Sequence, residues 1–158
     1  MALHLVTGGN GYVGSFIVRE LLRRGESVRS IDITPSVVKE SGAEYFKVDV
    51  LDVDGLRSVM DRVDYVHHNA ALVPLRKAGN LFREVNVQGT KNVLEICKEY
   101  RVKHIAHMSS SAIFGSIDSD DCPITHRTKF QPVEIYGQSK LDGEELIRRE
   151  MNKCNGIS

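Results

Sequence analysis

The chain has 158 residues, room for one domain and not for two. Apolar residues make up 41%, and 21 lysines and arginines balance 21 aspartates and glutamates, which fits a globular core and excludes a disordered polyelectrolyte. With no basic excess to offset phosphate charge, a nucleic-acid partner is not expected.

Cys97, Cys122 and Cys154 are odd in number and lack CxxC spacing, so neither a disulfide framework nor a metal site is expected. The N-terminal residues show no basic region leading into an apolar run, and no apolar stretch approaches the roughly 18 residues that cross a bilayer. The expectation is a soluble cytoplasmic protein without membrane contact.

Strand-like runs at 3–7, 28–32, 44–48, 64–68 and 104–109 alternate with amphipathic stretches. Val13, Phe16, Ile17 and Leu21 repeat at helical spacing, as do Phe82, Val85, Leu94 and Cys97. Gly25 follows the first helix as its expected cap. This alternation predicts an α/β fold in which right-handed crossovers join parallel strands. Residues 115–133, with Asp118, Asp120, Asp121, Pro123 and Pro132, read as one long irregular stretch, either a functional loop or a mobile one. Residues 134–154 predict a last helix capped by Asn155-Gly156, and Ile157-Ser158 stand where a further strand is expected.

The first strand runs into Thr7-Gly8-Gly9-Asn10-Gly11-Tyr12-Val13-Gly14 and then a helix. In that context Gly8 permits a tight turn, Gly11 lets the backbone approach a pyrophosphate at the helix N-terminus, and Gly14 allows close packing on the sheet. Asp32 ends the second strand, where a carboxylate takes the adenosine ribose hydroxyls. It repels a 2′-phosphate, and residues 33–38 supply no Arg or Lys to compensate, so NAD is expected over NADP.

Tyr136 and Lys140 stand at i, i+4 at the start of the last helix and share one face. A nearby ammonium favours the phenolate and makes Tyr136 a usable base near neutral pH. Ser109-Ser110-Ser111 leave the fifth strand at its carboxyl end, the side on which open α/β sheets bind ligands. One serine is expected to hydrogen-bond a substrate oxygen while Tyr136 moves its proton, and the other two to satisfy the loop backbone. His67-His68 make a poor chelate because adjacent strand residues face opposite ways. His104 and His107 read as packing or surface groups.

Taken in order, these features resemble the extended short-chain dehydrogenase/reductase superfamily and, within it, the NAD-dependent epimerase/dehydratase group. TGGNGYVG matches the family's TGxxGxxG, and Asp49-Val50 resembles its adenine-contacting acidic motif. His68-Asn69-Ala70-Ala71 looks like H-x-A-A beside the pyrophosphate, and Asn86 matches the helix asparagine near the cofactor. SSAIFG resembles [ST]-x-x-x-[YF]-G, which selects Ser110 as the catalytic serine with Ser111 as the alternate register, and Tyr136 with Lys140 completes Y-x-x-x-K.

The resemblance implies a Rossmann-like, doubly wound parallel sheet of strand order 3-2-1-4-5, truncated before the sixth strand and substrate lobe. Residues 1–158 then form the NAD(P)-binding domain, and the C-terminal substrate-binding lobe is absent from the chain. NAD contacts fall to Gly8, Asn10, Gly11, Tyr12, Val13, Gly14, Asp32, Asp49, Val50, Asn69, Ala70, Ala71, Asn86, Tyr136 and Lys140, and catalysis to Ser110, Tyr136 and Lys140. It also suggests a homodimer through the helices near 80–101 and 134–154, to which Leu141, Leu146 and Ile147 could add apolar surface.

The activity expected is Tyr-assisted hydride transfer on a nucleotide-sugar. Epimerisation is favoured over dehydration because Ser111-Ala112 follow Ser110 where a dehydratase wants an acid–base pair. A 3β-hydroxysteroid-type or other alcohol dehydrogenase shares every motif, and a non-catalytic NAD-binding or dimerisation module is the third reading. The 158-residue chain alone is expected to be inactive.

Overall fold

The computed structural model describes residues 1–35, 39–74, 78–116 and 123–151. Five strands, β1 (Leu3–Thr7), β2 (Ser27–Asp32), β3 (Ala43–Lys47), β4 (Tyr65–His68) and β5 (His104–His107), form one sheet in the order β3-β2-β1-β4-β5. All four pairings are parallel, as the strand–helix alternation requires. The order reverses between β1 and β4, and there Thr7 lies level with Ile31 on one side and His68 on the other. The carboxyl ends of these strands therefore share one rim at the switch point, where such sheets bind ligands.

Helix α1 (Tyr12–Arg23) covers one face of the sheet, packing Val18 against Val6 and Val28. Over the other face lie α2 (Val53–Ser58), α4 (Gly89–Glu99) and α5 (Ile135–Met151), whose Leu56, Val93, Leu94, Ile96 and Ile147 close on Leu5, Val66 and Ile105. A short α3 (Leu81–Arg83) enters α4 through a π-helical turn, Glu84–Gln88. Cys97 is a buried free thiol that burial pushes up to about 12, which leaves it unreactive.

The strand order and the alternation of elements agree with the sequence reading, and three details differ. β5 ends at His107, because Ser110 turns to cap a 3₁₀ turn, Ser111–Phe114, instead of extending the ladder. Helix α2 is unanticipated, although Asp52 marks its start by accepting from the Gly55 N–H. Of the three apolar residues offered for a partner contact, Leu146 is half-buried, and Leu141 and Ile147 have little surface to give. Both are buried within the chain, where their apolar area already packs against its own core. The expected helix end at 152–154, its cap Asn155-Gly156, Ile157-Ser158, Asp118, Asp120, Asp121, Cys122 and Cys154 lie outside the described residues. Among the described residues no helix is long and apolar enough to cross a membrane.

Candidate cofactor site and reaction centre

The glycine turn is shaped by backbone contacts. Gly8 sits at φ +65°, and a Cβ there would lie 2.8 Å from the Ala70 nitrogen, so handedness and close approach both demand glycine. Gly14 is tight against the turn itself, where a Cβ would lie 2.1 Å from the Gly8 carbonyl oxygen. Its absent side chain lets the helix start directly under the turn; the predicted close packing is against this backbone. Gly11 caps α1 without a side-chain hydrogen bond, no acidic residue occupies the first turn, and Gly11, Tyr12 and Val13 are exposed. The leading N–H groups and the positive end of the helix dipole thus face solvent, an arrangement that fits a pyrophosphate.

At the end of β2, Asp32 is held by three donors. The Asn10 N–H donates to Oδ2 at 3.2 Å, while the Thr34 N–H and hydroxyl donate to Oδ1 at 3.0 and 2.9 Å. Asn10 Nδ2 donates to the Thr34 carbonyl, which leaves Asn10 Oδ1 buried without a partner. Asp49 is exposed at the rim and accepts from the Leu51 N–H, whereas Val50 is buried with its carbonyl bonded to Asn92 Nδ2. Of this pair only Asp49 presents a side chain to the rim.

A buried network joins the turn to α5. Thr90 Oγ1 donates to the Asn86 carbonyl at 2.7 Å, so it accepts from His68 Nε2–H at 3.0 Å. Nδ1 is then the acceptor and takes the Thr7 hydroxyl at 2.7 Å. The lone pairs of Thr7 Oγ1 receive the Asn69 and Ala70 N–H groups at 3.2 and 3.1 Å. His68 is therefore neutral, protonated on Nε2, and burial with the nearby His107 and Lys140 holds its pKa well below the usual value. Asn86, inside the π-helical turn, binds the Leu72 N–H and carbonyl and donates to Ser139 Oγ at 3.0 Å. Ser139 in turn donates to the Tyr136 carbonyl. Asn69 and Ala70 are thus fixed beside the glycine turn, with Ala71 next in the chain, and Asn86 is tied to Leu72 and α5, by groups that the motifs name only in part.

The candidate reaction centre lies where α5 meets the 3₁₀ turn. A Cβ on Gly137 would lie 2.5 Å from the Ala112 carbonyl oxygen, so this glycine lets the first turn of α5 approach the segment that Ser110 caps. Ser110 Oγ accepts from the Ala112 N–H at 3.2 Å and keeps its own proton to donate; Ser109 is buried unpartnered and Ser111 is exposed. Tyr136 packs edge-on against Phe82, and Lys140 follows one turn later, 3% exposed. Lys140 makes no hydrogen bond among the described residues, and burial pulls its pKa down to about 8 against an opposing pull from Glu144.

Beside Lys140 lies His107, packed 5.3 Å from the His68 ring with both nitrogens buried and unpartnered. Burial and the Lys140 charge lower its pKa to about 4. It is a part-buried neighbour of the reaction centre, a placement that no sequence signal indicates. Ser139 lies inside the Y-x-x-x-K span and Thr90 four residues after Asn86, and only their partners were illegible. Among the described residues no cluster of His, Cys, Asp or Glu could hold a metal ion.

A switch-point rim with an uncapped helix start, a pinned carboxylate and a Tyr–Lys turn defines a Rossmann-like dinucleotide-binding domain of the short-chain dehydrogenase/reductase kind. Residues 4–158 match the NAD-dependent epimerase/dehydratase family, and the chain belongs to it. It is similar to an uncharacterised protein of Sinorhizobium fredii, 37% identical over 94% of this chain and 37% of that protein. It is also similar to the 3 beta-hydroxysteroid dehydrogenase/Delta 5→4-isomerase of vaccinia virus, 31% identical over 96% of this chain and 47% of the viral enzyme. Among solved structures, the Thermus thermophilus UDP-glucose 4-epimerase complexed with NAD superposes with a TM-score of 0.87 at 28% identity, covering 96% of this chain and 51% of that one. The chain thus spans about half the length of these relatives or less.

Proposed function

We propose that residues 1–158 are the NAD-binding part of an enzyme that oxidises a substrate alcohol with Tyr136 as the base, on a nucleotide-sugar and with epimerisation favoured. The observation that carries this reading is Lys140, a buried cation without a hydrogen-bond partner among the described residues, one turn after Tyr136. An ammonium on so largely buried a side chain is costly unless it acts on a ligand or on a neighbouring phenol.

NAD, when bound, supplies the hydride acceptor. Its pyrophosphate would pass over Gly11 onto the N–H groups of Tyr12 and Val13, the Gly11 N–H being held by the Gly8 carbonyl, and its adenosine ribose would lie on Asp32, with Asp49 at the adenine. Tyr136 takes the hydroxyl proton of the substrate, the Lys140 ammonium stabilises the phenolate, and the Ser110 hydroxyl donates to the substrate oxygen. A substrate lobe outside residues 1–158 would position the sugar and exclude water, so the 158 residues alone should turn over negligibly. Pairing of two copies through the helices near 80–101 and 134–154 belongs to the same reading. With Leu141 and Ile147 buried, that contact would use the polar outer stripe that runs from the π-helical turn into α4, where Gln88, Lys91 and Glu95 are exposed.

The second reading, a 3β-hydroxysteroid-type dehydrogenase, is favoured by the identity to the vaccinia enzyme. Product analysis separates the two, since a dehydrogenase accumulates NADH and an epimerase makes none net. Tyr136→Phe in the full-length protein should lower turnover about 10²- to 10⁴-fold with NAD affinity largely kept, and Ser110→Ala should slow it more than Ser111→Ala. Near-normal turnover by the Phe variant would remove Tyr136 from the chemistry.

A further inference from the structure

We propose that Thr34 is a specificity-determining positioning residue that makes Asp32 discriminate NAD from NADP; this rests on the reading of Asp32 as the ribose-binding carboxylate. Three donors hold the Asp32 carboxylate. The Thr34 N–H and hydroxyl occupy Oδ1, the Asn10 N–H occupies Oδ2, and Asn10 Nδ2 ties the Thr34 carbonyl back to the glycine turn. These bonds make a closed ring between the end of β2 and the turn.

An aspartate side chain has several staggered rotamers, and an unrestrained one could turn away from an incoming anion. Here, turning away breaks the contacts from Thr34 and Asn10 together, so the negative charge stays where the 2′ position of the ribose would lie.

A second observation points the same way. Asn10 Oδ1 is buried in this ring with no partner, because Nδ2 faces the Thr34 carbonyl. Beyond its own bonds the ring therefore carries acceptors and no donor: the remaining lone pairs of Asp32, and the Asn10 oxygen, which is closed off from solvent. A ribose 2′-hydroxyl brings a proton to such a site. A 2′-phosphate, mostly dianionic at neutral pH, brings further acceptors and further negative charge. Thr34 is exposed and carries no charge of its own, so its contribution acts through the placement of Asp32.

The experiment is calorimetric titration of the purified chain with NAD and with NADP, comparing the ratio of dissociation constants across variants. Thr34→Val keeps the shape and the backbone N–H and removes only the hydroxyl; it should narrow the preference for NAD about fivefold, the worth of one hydrogen bond. Thr34→Ser restores the hydroxyl and should restore the ratio. In an Asp32→Ala background, Thr34→Val should change nothing further, which a merely structural role of Thr34 would not produce. A wild-type ratio in Thr34→Val beside a collapsed ratio in Asp32→Ala overturns the role of Thr34 and leaves Asp32 standing. An unchanged ratio in Asp32→Ala overturns the ribose reading and this inference with it.

Discussion

The two working regions of the sheet rim handle buried polar groups in opposite ways. Around Thr7 and His68 each hydrogen has an acceptor, and the chain of bonds runs from the glycine turn through Thr90 and Asn86 to Ser139. At the next residue of the same helix, Lys140 is buried without a hydrogen bond among the described residues, and His107 beside it leaves both nitrogens unpaired. The first region is a scaffold that fixes the backbone beside the glycine turn. The second stores unfavourable burial, the pattern expected of a site whose missing partners are ligand atoms.

The sharpest way to break this comparison is to open the closed network. Thr7→Val preserves shape and leaves His68 Nδ1 and the Ala70 N–H short of a partner, while the Asn69 N–H keeps the Thr7 carbonyl. It should destabilise the fold by about 2–4 kcal/mol in urea unfolding. A loss below about 0.5 kcal/mol would mean that water or relaxation replaces those bonds and that the two regions do not differ.

The open region should reveal itself through pH. An imidazole in the unfolded chain titrates near 6.5, whereas His107 in the folded chain titrates near 4 and stays neutral above that. Because its folded pKa is depressed, its contribution is intact above pH 6.5 and is lost as pH falls from 6.5 toward 4, where only the unfolded state takes up the proton. His4, His67 and His68 are shifted in the same direction, so the difference between wild type and His107→Phe is the informative quantity. That variant should remove on the order of 2 kcal/mol of acid destabilisation. Parallel pH profiles would mean that His107 reaches solvent.

The sequence carried the first region well because its constraints are geometric. Gly8 and Gly14 must be glycine for backbone reasons, and alternating apolar runs require a parallel sheet whose switch point lies between β1 and β4. The hydrogen bonds between His68, Thr90 and Ser139 were not legible, since each spans sequence distances that no periodicity records. His107 was hidden for a different reason. Its unpaired state depends on the α5 packing that surrounds it, including Gly143, whose Cβ position lies 3.5 Å from Nε2. Leu141 and Ile147 show the converse error: an apolar residue near a helix surface can serve the chain's own core or a partner, and pattern alone does not distinguish them.

The smallest expected effect tests whether the open region is strained at all. Lys140→Met keeps the apolar stem and removes the charge, so it should abolish the support given to Tyr136 while stabilising the fold by about 1–2 kcal/mol. The wild-type ammonium is penalised at neutral pH because burial pulls its pKa from 10.5 to about 8. Between those values the folded protein has released the proton and the unfolded chain still holds it, so wild-type stability rises with pH across that window. The methionine variant lacks this rise. Its advantage should therefore be largest below pH 8 and shrink toward 10.5, which separates relief of a buried charge from a general gain in packing. Urea unfolding at both ends of the window makes the measurement. A variant that is less stable than wild type below pH 8 would show that Lys140 is favourably paired in the folded chain, and that the reaction centre is as closed as the network around Thr7.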